Sequence, residues 1–370
     1  VKPTGPCRAE LHQNRLSAWK PEKRIMNDKD LTIAVIGAGA IGGVTAAFMK
    51  AAGWNPILVC KHPEIVARIE AEGLCVSGLR GDHAVPVRVV RTIADLPRDL
   101  DIVFHATKAN DCVSAAVVLR PHLKPSSVVV SLQNGICEEA LGDVLGRGRV
   151  VGCVVGWGAT HTGPGRFEVT SPGEFVLGNI DHRPDERLKT IRPMLDAVQP
   201  TRISDHIMGE LYSKLMINSC INSLGAITGV TLGELLAMRK VRRIFIDLMR
   251  EALAVADAIN VRVAASTGGK LDYYRFLAGS SLLKEFKRHL VLRVIGFKYR
   301  RIRSSSLQSL ERGRPTEIDY LNGYICARAA ESNVAVPLNR AVVSMIKSIE
   351  AGRRSIALRN MDDLAGDLSG

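Results

Sequence analysis

Residues 31–53 read LTIAVIGAGAIGGVTAAFMKAAG. LTIAVI is an apolar run of strand length, and GAGAIGG follows it at once. Gly37, Gly39 and Gly42 fit G-x-G-x-x-G, and a helical pattern runs from Ala40 to about Ala52. A second apolar run, PILVC, ends at Cys60. Each glycine meets one need: a tight turn, backbone approach to a pyrophosphate, and close packing of helix on strand. Phosphate then faces a helix N-terminus, where free N–H groups and the dipole favour negative charge. The motif alone is a weak signal. Strand, glycines, helix and second strand in this order between residues 31 and 60 supply the confirming context. The loop Gly37, Ala38, Gly39, Ala40, Ile41 and Gly42 is the expected cofactor-binding segment, on a Rossmann-like α/β domain.

The end of the second strand bears on which nicotinamide is used. NAD sites usually carry Asp or Glu there, to hold the ribose 2′-hydroxyl. This chain has Cys60, Lys61 and His62. A lysine cannot accept the hydroxyl proton but can pair with a 2′-phosphate, so NADP(H) is favoured with Lys61 as its contact. The plain alternative is a surface lysine in a loop.

Outward from this unit the α/β alternation continues. DIVFHATKAND (101–111) runs from a strand into a polar loop, and SVVVSLQNGI (127–136) ends in Gln133, Asn134 and Gly135. In doubly wound sheets ligands sit outside the carboxyl ends of the strands. Lys108 and Asn134 lie just past two such ends, within reach of cofactor or substrate. A β-rich stretch, a helix at ERLKTIRPMLDAV and the short strand TRISD close the first domain near residue 205. Helical periods then dominate, over 207–228, 232–259, 317–332 and 336–349. The expected organisation is an extension over 1–28, an NADP-binding domain over 29–205, and an all-α substrate domain over 206–370.

The first helix of the second domain contains KLMINSCINSL (214–224). Lys214, Asn218 and Asn222 stand four apart and share one stripe of a helix that is otherwise apolar. Buried unpaired, such groups would cost several kcal/mol each, so something polar must face them. The partner is either another part of the chain or a ligand. Further on, Glu317 and Asp319 follow Pro315-Thr316, a reasonable helix start where acids also suit the dipole.

Bulk properties exclude several classes. The chain has 370 residues, enough for two domains, and no apolar run near the ~18 residues of a spanning helix. Eight scattered cysteines show no C-x-x-C and no metal-ligand spacing, which points to a reducing cytoplasm and no structural metal. The net charge of +13 is local, because residues 284–303 alone carry a surplus of seven. No nucleic-acid-binding signature accompanies it. Residues 1–25, ahead of Met26, have no period and read as a disordered extension or an over-long reading frame.

GAGAIGG, the TKAND lysine, SLQNGI, and KLMINSCIN with SSSLQSLERGRPTEIDYLNGY (304–324) occur in this order. In these four places the chain resembles the ketopantoate reductase (2-dehydropantoate 2-reductase) family, over roughly residues 31 to 350. The resemblance implies NADPH-dependent reduction of a 2-keto acid, with 2-dehydropantoate the default substrate. By it, Lys214 matches the general acid, and Asn218, Asn222 and Ser305 match substrate-binding positions. Glu317 matches a carboxylate near the lysine and the nicotinamide ribose. Asn134 and Lys108 match cleft residues that hold cofactor and substrate. Two positions depart from the family pattern: Leu232 replaces an asparagine before Gly-Glu-Leu, and Ser309 replaces an aspartate. They leave open a related reductase of a less polar ketone. A silent NADPH-binding protein is the non-enzymatic alternative, against which Lys214 and Glu317 speak. The basic stretch 284–303 reads as an amphipathic helix on a membrane surface, a positive rim for an anionic substrate, or a solvated helix. A monomer or homodimer is expected.

Overall fold

Segments apolar on both faces form parallel strands only where helices cover them, and the first half of the chain builds such a layer. The computed structural model describes residues 31–266 and 271–366. The expected extension over 1–28 lies outside the described residues. Contacts divide the described chain into two compact units. One holds the residues up to 133 with 137–207, the other residues 134–136 with those from 208 onward.

In the first unit, β1 (Ile33–Ile36), α1 (Ala40–Ala51) and β2 (Pro56–Val59) follow one another as expected. Then come α2 (Pro63–Glu72), β3 (Leu74–Gly78), β4 (His83–Val85) and β5 (Arg88–Val90). The chain returns through β6 (Leu100–His105), α3 (Cys112–Leu119), β7 (Leu123–Ser131), α4 (Glu138–Leu145) and β8 (Val150–Val155). It ends with β9 (Gly158–Gly163), β10 (Arg166–Ser171), β11 (Phe175–Asn179), α5 (Arg187–Asp196) and β12 (Thr201–Ile203). The main sheet has the order β12-β11-β8-β7-β6-β1-β2-β5. All its pairings are parallel except β8 with β11. From β1 the chain goes to β2 on one side and later returns to β6 on the other, which makes the ends of β1 and β6 the topological switch point.

A second sheet, β4-β3-β10-β9, packs against α1. Sequence reading gives no account of residues 74–90, because these strands are three to five residues long. Gly43 permits the packing: a Cβ there would lie 2.3 Å from the buried Phe167 ring.

The second unit is helical. Its elements are α6 (Ile207–Thr228), α7 (Leu232–Ala237), α8 (Arg239–Ala258), α9 (Tyr273–Leu277) and α10 (Leu282–Lys298). They continue with α11 (Ser305–Glu311), α12 (Asn322–Glu331), α13 (Pro337–Glu350) and α14 (Asn360–Gly366). Two expected helices are broken. The segment 232–259 is interrupted at Met238, whose extended backbone (ψ 125°) separates α7 from α8. The segment 317–332 begins as a single 3₁₀ turn, Ile318–Tyr320, and α12 starts only after Leu321 (φ −107°, ψ −103°). Apolar periodicity runs through both breaks, so only tertiary packing reveals them.

Candidate active site

Register brings the ends of the central strands level. Ile36 pairs with Val59 and with His105, and His105 pairs with Ser131. Gly37, Cys60, Ala106 and Leu132 therefore leave the sheet together along one edge. Gly37 has φ +109°, and a Cβ there would stand 2.6 Å from the carbonyl oxygen of Ala106. At Gly42 a Cβ would stand 2.0 Å from the Gly37 oxygen. Only glycine allows the loop to close this tightly onto the first turn of α1. No acidic side chain occupies that turn, so its unsatisfied N–H groups suit an anion. These features fit a dinucleotide pyrophosphate, and the Gly37–Gly42 loop is the segment that would hold it.

Just past β2, Lys61 Nζ lies 2.9 Å from Asp111 Oδ2, with both side chains largely exposed. An exposed pair of this kind is worth ~0–1 kcal/mol, so Lys61 is easily drawn to a stronger anion. Cys60 N donates to Val90 O, which makes Arg91 a second cation beside this strand end that sequence reading missed. Lys108 is exposed just past β6, preceding the turn Ala109–Asp111.

Beneath the switch point lies a buried polar cluster. Gln133 Nε2 donates to His105 Nδ1 at 3.0 Å and to Thr107 Oγ1 at 3.2 Å, while Ser131 Oγ donates to Gln133 Oε1 at 3.0 Å. Because His105 Nδ1 accepts, its proton sits on Nε2, for which no partner is found among the described residues. His105 is fully buried, and burial lowers its pKa to about 4. The cluster fixes Gln133, the residue before Asn134. No sequence motif announces it, since a strand-end histidine and glutamine look like turn residues.

The second unit gathers the remaining candidates. Lys214, Asn218 and Asn222 share one stripe of α6, the first two half-buried and Asn222 7% exposed. Several contacts hold this helix in place. Tyr273 OH donates to the Ser213 carbonyl at 2.9 Å, and burial raises the pKa of Tyr273 to about 12. Tyr212 meets Tyr324 edge-on at 5.9 Å. Ser223 donates to Asn322, which donates to Asn339, itself a donor to Glu251. Lys214 is thus backed by a fixed helix.

Ser305 opens α11. A Cβ on Gly225, one turn beyond Asn222, would touch Ser304 at 2.7 Å, so α11 starts directly against α6. Glu317, 7% exposed, precedes the 3₁₀ turn, not the first turn of an α-helix. Gly135 (φ +81°) brings the Asn134 segment to the same place, because its Cβ would lie 2.3 Å from the Tyr320 oxygen. Leu232 is buried, and its N–H donates to Ile302 O, three residues before Ser305. Ser309 Oγ donates to Ser305 O at 3.2 Å.

The description ketopantoate reductase PanE/ApbA matches residues 33–182, and its C-terminal counterpart matches residues 206–350. The chain belongs to the ketopantoate reductase family. Its oxidoreductase relatives include 2-dehydropantoate 2-reductase of Archaeoglobus fulgidus, 29% identical over 321 residues, covering 86% of this chain and 98% of the relative. The crystal structure of a PanE/ApbA family ketopantoate reductase from Ralstonia eutropha is 30% identical, with TM-score 0.75, covering 88% of this chain and 100% of that one. D-mandelate dehydrogenase, solved in a ternary structure with NADH and anilino(oxo)acetate, shares the fold at 21% identity, with TM-score 0.73 over 87% of this chain and 99% of that one. This family has a dinucleotide-binding fold. Among the described residues no helix is long and apolar enough to cross a membrane, and no His/Cys/Asp/Glu group is arranged for a metal.

Proposed function

We propose that this family member reduces a 2-keto acid to the 2-hydroxy acid with NADPH, and that the substrate is 2-dehydropantoate, giving pantoate. The observation that carries the reading is the cation and two amides lined up on α6, with α11, which Ser305 opens, starting against that helix at Gly225. A 2-keto acid offers a carboxylate, a carbonyl oxygen and, in 2-dehydropantoate, a hydroxyl, which match those groups in kind. Residues 29–205 serve the cofactor and residues 206–370 the substrate.

When bound, the nicotinamide supplies hydride to the carbonyl carbon. Lys214 stabilises the negative charge that grows on the carbonyl oxygen and donates the proton to it. Glu317 orients the ammonium and favours its charged form. Asn218, Asn222 and Ser305 bind the substrate, while Asn134 and Lys108 hold substrate and cofactor. The loop from Gly37 through Ala38, Gly39, Ala40 and Ile41 to Gly42 takes the pyrophosphate, and Lys61 takes the 2′-phosphate. A reducing cytoplasm suits the described cysteines, which stand as thiols.

The second reading, a less polar 2-keto acid, rests on Leu232. An apolar side chain buried beside the approach to Ser305 offers nothing to a substrate hydroxyl. Following NADPH oxidation with a panel of 2-keto acids separates the two. The highest kcat/KM on 2-dehydropantoate supports the first, and a preference for a keto acid without the hydroxyl supports the second. No turnover of any 2-keto acid would reject both.

A further inference from the structure

The outward face of α10 is apolar, and nothing in the proposed chemistry uses it. At 3.6 residues per turn each residue advances about 100°, so Leu283, Phe286, Leu290, Val294 and Phe297 fall within a stripe about 80° wide. Leu283, Phe286 and Phe297 are 68%, 67% and 73% exposed. On the same geometry Arg293 borders one edge of the stripe, and Lys287, Lys298 and Lys284 border the other. Beyond the helix, Arg300 lies over the Phe297 ring at 5.4 Å, followed by exposed Arg301, Ile302 and Arg303.

The opposite face is firmly committed. Arg288 is 2% exposed and donates to the carbonyls of Phe276 and Ala278, both at 2.6 Å, and to Glu285. Gly296 packs so closely on Leu236 that a Cβ would stand 2.6 Å away. The helix cannot roll to hide its stripe without breaking these contacts.

We infer that the outer face of α10 docks this protein onto an anionic membrane surface. Large apolar side chains enter the interface while lysine and arginine stems on both edges reach back to the headgroups. Cations along both edges suit a planar sheet of anions. A second copy is the weaker occupant, because self-pairing would set cationic edges against each other. The one acid of α10, Glu285, is already held by Arg250 and Arg288. The helix lies on the bilayer; it is too short and too charged to cross it.

The test is co-sedimentation of the full chain with vesicles of phosphatidylcholine alone or mixed with phosphatidylglycerol. Binding to the mixed vesicles only, weakened by salt, is expected. Phe286→Ser/Phe297→Ser and Lys287→Glu/Arg293→Glu should each lower it at least tenfold while the thermal midpoint stays at the parent value. These positions are exposed, so folding survives the changes. Three results would overturn the inference: no binding to anionic vesicles, binding unaffected by both double variants, or light scattering that shows a dimer dissolved by Phe286→Ser/Phe297→Ser.

Discussion

Gly135→Ala tests how Asn134 is held. With φ +81°, Gly135 sits where an alanine pays about 1–2 kcal/mol for left-handed backbone. Strain is the smaller effect. The new Cβ would stand 2.3 Å from the Tyr320 oxygen, whereas ordinary contact begins at 3.4 Å. The obstacle is backbone and cannot rotate away, so Asn134 and the Glu317–Tyr320 turn must separate by about 1 Å. A displacement of that size costs roughly 100-fold in rate when the displaced groups align a reaction. Gly313→Ala is the control, because Gly313 has φ +64° but no heavy atom lies within 4 Å of where its Cβ would stand. Gly313→Ala should melt slightly below the parent, and Gly135→Ala further below it because the clash adds to the strain. In the NADPH oxidation assay only Gly135→Ala should lose kcat/KM, by one to two orders of magnitude. If the two variants retain equal kcat/KM, close approach at Gly135 does not organise the site, and the role given to Asn134 fails.

Lys214→Ala should lower turnover by about two orders of magnitude or more, as expected for a general acid, while NADPH titrated by fluorescence still binds; unchanged turnover removes Lys214 from the chemistry. Lys61→Glu should collapse the preference for NADPH over NADH, measured as the ratio of kcat/KM values. A ratio that stays put would point to Arg91. Leu232→Asn should raise kcat/KM for 2-dehydropantoate over a keto acid without the hydroxyl, by roughly the two- to twelvefold that one hydrogen bond of about 0.5–1.5 kcal/mol supplies. A shift the other way would mean that Leu232 does not face substrate. His105 gives a pH test. Its folded pKa of about 4 lies below the usual 6.5, so the unfolded chain binds a proton first as pH falls. Its stabilising contribution is present above pH 6.5 and is lost towards pH 4, by about 3 kcal/mol in full. His105→Gln should flatten that part of the melting profile, and an unchanged slope would assign it to other groups.

Sequence alone carried the opening strand–glycine loop–helix–strand unit, because its requirements are local. A strand, three glycines and a helix start must be adjacent in the chain to meet one phosphate, and β1, α1 and β2 follow that order. It carried the α6 stripe too, since a four-residue spacing maps directly onto one helix face. It could not say what backs that stripe. Tyr273, Tyr324, Asn322 and Glu251 reach α6 or its supports from distant parts of the chain. Nor could it find the breaks at Met238 and Leu321, where apolar periodicity continues although the backbone turns. The His105–Gln133 cluster forms only when β6 and β7 pair in register. The surface character of α10 was likewise settled by packing: its basic and apolar residues were plain in the sequence, but Arg288 and Gly296 decide which face turns inward. Periodicity fixes which residues share a face; tertiary contacts fix where that face points.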